Sequence, residues 1–140
     1  MARRKSEQPP EFFVDRSLGK SIVEALRATG LTVHSMADVY GEDRAQGLDD
    51  EIWLRDAGKN DWIVLTKDNA IRRRPAEREA LVGATVRVFC LTAAQLRSAE
   101  QIERFLNNRK RILRQARRPG PYIYGVYENS LKRLWPTPDA

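Results

Sequence analysis

Long hydrophobic runs are missing from this 140-residue chain, and so are nearly all the residues that build thiol or imidazole sites. No apolar stretch is long enough to span a bilayer. The basic start, Met1-Ala-Arg-Arg-Lys5, has no apolar segment behind it, so neither membrane insertion nor a signal peptide is expected. One cysteine, Cys90, excludes an intramolecular disulfide. It lies within Val86-Arg-Val-Phe-Cys-Leu91 and reads as a buried strand residue of a reducing, cytoplasmic protein. One histidine, His34, excludes a site of paired imidazoles and reads as a strand residue. No phosphate-binding Walker loop and no Gly-x-Gly-x-x-Gly is present, which removes two nucleotide-binding classes. Internal repeats are absent.

What the chain has is charge. It is 41% hydrophobic and 31% charged, which suits one polar globular domain with a real core. The net charge of +6 is unevenly placed: residues 101–140 hold nine Lys/Arg against three Asp/Glu, and residues 1–100 are balanced. Such asymmetry fits either a polyanionic partner or a solvated cationic helix face.

The apolar residues come in short runs set between helical patterns. Strands are expected over 11–15, 31–36, 62–67, 85–91 and 122–127, with 131–135 returning as a hairpin. Leu18, Ile22 and Leu26 mark a first helix that stops at Gly30. Residues 38–47, polar with two glycines, read as a loop. A second helix is expected from about Leu48 to Ala57, and a short one over 76–81. A long pattern from Thr92 to about Arg118, allowing one break, places Ile102, Phe105 and Ile112 on one face and Arg104, Arg111, Arg114 and Arg118 on the other. Pro119-Gly-Pro121 stops it. The alternation of strands and helices implies an α/β protein, a mostly parallel sheet with helices on both faces.

Two of the apolar runs end on aspartate, Asp15 and Asp68, and Asp49-Asp50-Glu51 opens the helix between them. In open α/β sheets, chemistry gathers beyond the carboxyl ends of the strands. Carboxylates crowded there repel one another unless a cation neutralises them, and Mg²⁺ or Mn²⁺ prefers such oxygens. Each aspartate has a structural alternative as a helix cap or turn former. Thr66 points to the same side of its strand as Asp68 and could orient a carboxylate or a water. Asn69 offers a neutral oxygen, or a turn residue.

The segments Phe12-Phe-Val-Asp-Arg-Ser-Leu-Gly19, Leu48-Asp-Asp-Glu-Ile-Trp-Leu-Arg-Asp-Ala57 and Ile63-Val-Leu-Thr-Lys-Asp68 resemble PIN-like nucleases, nearest the branch of VapC-type toxins and Mut7-C-like domains. The resemblance covers about residues 11–92. It implies a three-layer α/β/α fold, to which the charge distribution adds a basic helical C-terminal extension. It also implies an endoribonuclease whose Mg²⁺ or Mn²⁺ is held by Asp15, Asp50 and Asp68, with Asp49 and Glu51 as rivals for the middle position. A fourth acid, often just after Thr-x-Asp in the family, is not there, since Asn69 and Ala70 follow Asp68. The chain then divides into a basic tail at 1–10, expected to be disordered, a PIN-like domain at 11–118 and a strand or hairpin extension at 119–140. Arg72, Arg73 and Arg74 stand close enough in sequence to touch RNA near the scissile bond. Arg111, Arg114 and Arg118 would hold its phosphates elsewhere. The implied partners are RNA, a cognate antitoxin and a second copy of the chain. The rival reading is a non-catalytic module that keeps this fold and binds nucleic acid or a protein through its basic region.

Overall fold

The computed structural model describes residues 9–93 and 95–138, so most of the N-terminal tail expected over 1–10 lies outside the described residues. Among the described residues, six strands form one sheet: β1 (Glu11–Val14), β2 (Thr32–Ser35), β3 (Ile63–Thr66), β4 (Arg87–Leu91), β5 (Tyr122–Val126) and β6 (Leu131–Trp135). Their order is β2-β1-β3-β4-β5-β6; the first five run parallel and β6 antiparallel to β5. The helices are α1 (Lys20–Ala28), α2 (Met36–Tyr40), α3 (Glu42–Gly47), α4 (Asp50–Lys59), α5 (Pro75–Gly83), α6 (Ser98–Asn107) and α7 (Arg109–Gln115), with a 3₁₀ turn at Asn69–Arg72.

The short apolar runs become strands because both faces of the sheet are covered. Phe12, Val14, Ile63, Leu65, Phe89 and Leu91 pack under α1, α6 and α7. Phe13, Val64, Val88 and Cys90, the alternate residues, pack under the layer that contains α4 and α5. Alternation along each strand thus builds two cores from one run, and the result is a three-layer α/β/α fold. Burial pushes the Cys90 thiol up to about 12. No helix among the described residues is long and apolar enough to cross a membrane.

Three sequence expectations are corrected. Residues 38–47 are helical rather than a loop. The Ser35 hydroxyl accepts from Asp38 N at 3.1 Å and starts α2, Gly41 turns the chain at φ 85°, and Glu42 and Asp43 occupy the first turn of α3. Met36, expected at the end of a strand, is the first residue of α2 and is buried. The long helix expected from Thr92 begins only at Ser98, and the one break allowed in it falls at Asn108, which is fully buried. The Asn108 amide donates to Arg104 O at 2.9 Å and Tyr127 O at 2.7 Å, tying the helical layer to the β5–β6 turn.

Residues 122–135, read as an extension, continue the sheet itself. Tyr122 and Val126 are buried with the core under α1, and Ile123 with the core of the other face.

Candidate metal centre at the carboxyl edge of the sheet

β1 and β3 are parallel neighbours, with Val14 opposite Leu65. The chain leaves β1 toward β2 on one side, while β3 to β5 extend on the other. Their carboxyl ends therefore flank the point where strand order reverses, the position at which open α/β sheets leave a crevice. Asp15 follows β1 directly and Asp68 follows β3 by two residues.

Asp15 is buried and held from three directions. Ser17 donates to its Oδ1 from both the hydroxyl, at 2.5 Å, and the backbone N–H, at 3.2 Å. Thr66 donates to Oδ2 at 3.0 Å. The two hydroxyls are themselves oriented by backbone donors: Lys67 N to Ser17 Oγ at 3.1 Å and Asp68 N to Thr66 Oγ1 at 3.0 Å. Burial raises Asp15 to about 6 against the pull of those hydrogen bonds, and the nearby Asp50 charge adds to the rise.

Asp50 opens α4. Its Oδ1 accepts from Trp53 Nε1 at 2.8 Å and pairs with Arg16 Nη2 at 3.2 Å. Arg16 also bonds Leu48 O and Gln46 O, so one guanidinium fastens the segment before α4 to the end of β1. Asp68 Oδ1 accepts from Ala70 N at 3.1 Å and caps the 3₁₀ turn. That turn redirects the chain so that Pro75 opens α5 and Glu77, in its first turn, comes back against the same edge.

The carboxylate oxygens that converge belong to Asp50, Asp68 and Glu77, all within 4.8 Å of one another. The Asp15 carboxylate stands at the same edge but outside this group among the described residues. Burial lifts Glu77 to about 7, the neighbouring Asp50 carboxyl adds to it, and Arg74 opposes it. Arg74 lies among the three acids. Its Nη1 is 2.8 Å from Glu77 Oε1, 2.9 Å from Asp68 Oδ2 and 3.4 Å from Asp50 Oδ2. These bonds, to Glu77 and Asp68 first, push the Arg74 guanidinium above its ordinary value.

The other residues singled out from sequence fall elsewhere. Asp49 is exposed and caps α4 without a side-chain bond, and Glu51 sits half-buried one residue beyond Asp50, outside the converging group. Asn69 is exposed in the 3₁₀ turn. Arg73 is exposed, and Arg72 is half-buried with its Nε buried and unbonded among the described residues. Arg111 bonds Asn107 O at 3.3 Å on its own helical layer. Arg114 lies in the last turn of α7 and Arg118 just beyond it, in the segment fastened to the opposite edge of the sheet. There Ala116 O accepts from Arg87, the first residue of β4, and Gln115 O and Arg118 O accept from Tyr122, the first of β5.

Sequence reasoning missed Glu77, Ser17 and Arg16. For Glu77 a signal existed, since Pro75-Ala-Glu77 has a proline at a helix start and an acid in the first turn. Nothing in the spacing places that turn beside Asp68. Ser17 and Arg16 lie inside the segment that carried the Asp15 motif but were read only as the entry to α1.

The centre suits a hard dication. Three carboxylates supply oxygen donors of the preferred kind, and a cationic group already lies between them. A cleft of about 660 Å³ opens beside Asp15 between α1 and α2–α3, bordered by Arg16, Lys20, Arg27, Asp38 and Glu42. Its mixed lining offers cations to a phosphate and carboxylates to amino or hydroxyl groups.

Comparison with known proteins adds an independent line. Residues 10–93 match the family model described as a PIN like domain. The chain is 35% identical over 124 residues to "Putative ribonuclease VapC45" of Mycobacterium tuberculosis (strain ATCC 25618 / H37Rv), covering 88% of this chain and 90% of that protein. No solved structure matches.

Proposed function

The chain belongs to the PIN-like domain family, and from that premise we propose that it is a metal-dependent endoribonuclease, the toxin of a type II toxin–antitoxin pair. The observation that carries this reading is the convergence of Asp50, Asp68 and Glu77 oxygens within 4.8 Å, at the edge where Asp15 ends β1. In this reading these three side chains hold Mg²⁺ or Mn²⁺, with Glu77 as the fourth acid that the residues after Asp68 do not supply. When bound, the metal supplies Lewis acidity to a phosphodiester and to the attacking water. Asp15, fixed by Ser17 and Thr66, orients that water and takes its proton on a carboxylate oxygen; a folded-state value of about 6 leaves it ionised at neutral pH. Arg16 holds Asp50 in place, and Thr66 aims Asp15. The phosphates flanking the cut lie along Arg72, Arg73 and Arg74, and the arginines of α7 bind more distant phosphates or an acidic antitoxin surface. The RNA substrate and the antitoxin partner place the protein in the cytoplasm.

Incubation of the purified chain with a mixed RNA pool, with Mn²⁺ or with EDTA and beside Asp68→Asn, tests the proposal. Cleavage that needs Mn²⁺ and disappears in the variant is the expected result. RNA binding without cleavage under any metal condition would leave the non-catalytic module as the correct reading.

A further inference from the structure

Arg74 makes an unusual set of contacts for an arginine half open to solvent. One nitrogen, Nη1, meets three carboxylates, and the second, Nη2, reaches Asp68 Oδ1 at 3.5 Å. A guanidinium is always charged and matches carboxylate and phosphate geometry equally well. The three acids come from α4, from the end of β3 and from α5. Arg74 immediately precedes α5, three residues from Glu77, and its backbone is held by bonds to Ala70 O and from Arg78 N, so only its side chain is free to move. Its side chain is 47% exposed, whereas those of its three partners are 10–24% exposed. The acids are therefore the fixed part of the cluster and the arginine the movable one.

We propose that Arg74 is an exchangeable counter-ion. It neutralises the carboxylates before a divalent cation enters, is displaced by that cation, and then pairs with a substrate phosphate beside the centre. The proposal rests on the metal-dependent reading above and assigns Arg74 two successive partners. The three carboxylates cannot keep both cations at their present distances, because two like charges a few ångströms apart repel strongly in a half-buried site. A displaced guanidinium, tethered to that anchored backbone, stays at the rim, where a phosphate approaching the same carboxylates needs a positive group. The cost of releasing Arg74 is part of the cost of binding metal, and the gain returns when RNA arrives. Metal and RNA should then bind cooperatively, with the coupling passing through this one side chain.

The test uses the full chain and three measurements. Mn²⁺ binding is followed by calorimetry and by tryptophan emission, to which Trp53 contributes a signal sensitive to Asp50 through the indole bond at 2.8 Å. Arg74→Gln should bind Mn²⁺ about tenfold more tightly than the native chain, and Arg74→Lys should fall between them. In the native protein, the reactivity of Arg74 toward phenylglyoxal, read by mass spectrometry, should rise when Mg²⁺ is added. This second measurement needs no variant and stands if Arg74→Gln does not fold. Lastly, Arg74→Gln should weaken binding of a phosphorothioate oligoribonucleotide in Mg²⁺ and leave it unchanged in EDTA. Equal Mn²⁺ affinity in the native chain and Arg74→Gln, or Arg74 reactivity that stays constant or falls on adding Mg²⁺, overturns the exchange and leaves a fixed structural ion pair. So does an equal loss of oligonucleotide binding with and without Mg²⁺. If no form binds Mn²⁺, the metal-dependent reading falls together with it.

Discussion

The carboxyl edge of β1 and β3 and the surface of α6 and α7 handle charge in opposite ways. Residues 1–100 are electrically balanced in sequence, yet they gather four acids and two arginines at one edge of the sheet. Residues 101–140 carry the whole excess of positive charge, yet their basic groups are spread over the helical layer and β6, most of them exposed. Charge per residue therefore says little about local field. What matters is whether groups far apart in sequence are carried to one point and partly removed from water, where their interactions weaken less with distance and salt.

The largest expected effect lies at the acidic edge. Asp68→Asn and Glu77→Gln should each lower metal-dependent RNA cleavage by about a thousandfold, since each removes a ligand from a centre asked for several kcal/mol of transition-state stabilisation. Parallel single-turnover assays of the two variants are the check. A Glu77→Gln enzyme with native activity would remove Glu77 from the site and return the centre to the three acids read from sequence.

Next is a structural effect on the basic side. Asn108→Leu should cost about 2–3 kcal/mol in urea unfolding, because it leaves Tyr127 O without the side-chain donor that joins the helical layer to the β5–β6 turn, while Arg104 O keeps only the backbone N–H of residue 108. A loss under about 0.5 kcal/mol would mean that water replaces the amide there.

Asp15 gives a smaller effect with a pH signature. Its folded value, about 6, exceeds the ordinary 3.8, so the folded state holds this proton more tightly than the unfolded state. The Asp15 contribution to stability is thus most favourable below about pH 4. It declines as pH rises from about 4 to 6 and stays unfavourable above that. Asp15→Asn should be more stable than the native chain at pH 7, by on the order of 2 kcal/mol, and equal to it near pH 3.5. Urea unfolding at the two pH values decides the matter; a gain that is the same at both would show that charge burial is not its source. Cleavage should be lost in the same variant, so stability and activity move in opposite directions at one residue.

The smallest expected change concerns the exposed arginines. Replacing Arg111, Arg114 and Arg118 together with glutamine should alter stability by no more than about 0.5 kcal/mol. It should flatten the salt dependence of RNA binding by a slope of about 2 if all three meet phosphates. Single-turnover cleavage of a saturating short substrate should persist, because α7 ends at the opposite edge of the sheet. An unchanged salt slope with a weakened antitoxin complex would assign this surface to the protein partner instead.

The sheet was legible because each strand is a short apolar run whose two faces both need cover, so composition and length alone mark Phe12–Val14, Ile63–Leu65 and Val88–Leu91. Turn-level detail was less legible. The polarity of residues 38–47 hid two short helices that are held by the Ser35 cap and the Gly41 turn rather than by a broad apolar face. That the helical pattern breaks was legible, but its place at Asn108 was not, for a related reason. An asparagine in a polar helical stretch looks solvent-facing until the β5–β6 turn is placed over it.

At the site the division is sharper. By themselves, the residues Asp15, Thr66 and Asp68 fix which strand ends carry acid, because a side chain just past a parallel strand has only one edge of the sheet to occupy. Only the tertiary structure decided that Asp15 turns into Ser17 and Thr66, and that Glu77 swings in from α5 to meet Asp50 and Asp68. It alone placed Arg74 between those three acids. Strand register is a local property, set by alternating burial over a few residues. The convergence of carboxylates depends on the angles at which α4 and α5 pack on the sheet, and those angles come from contacts among side chains that no single segment contains.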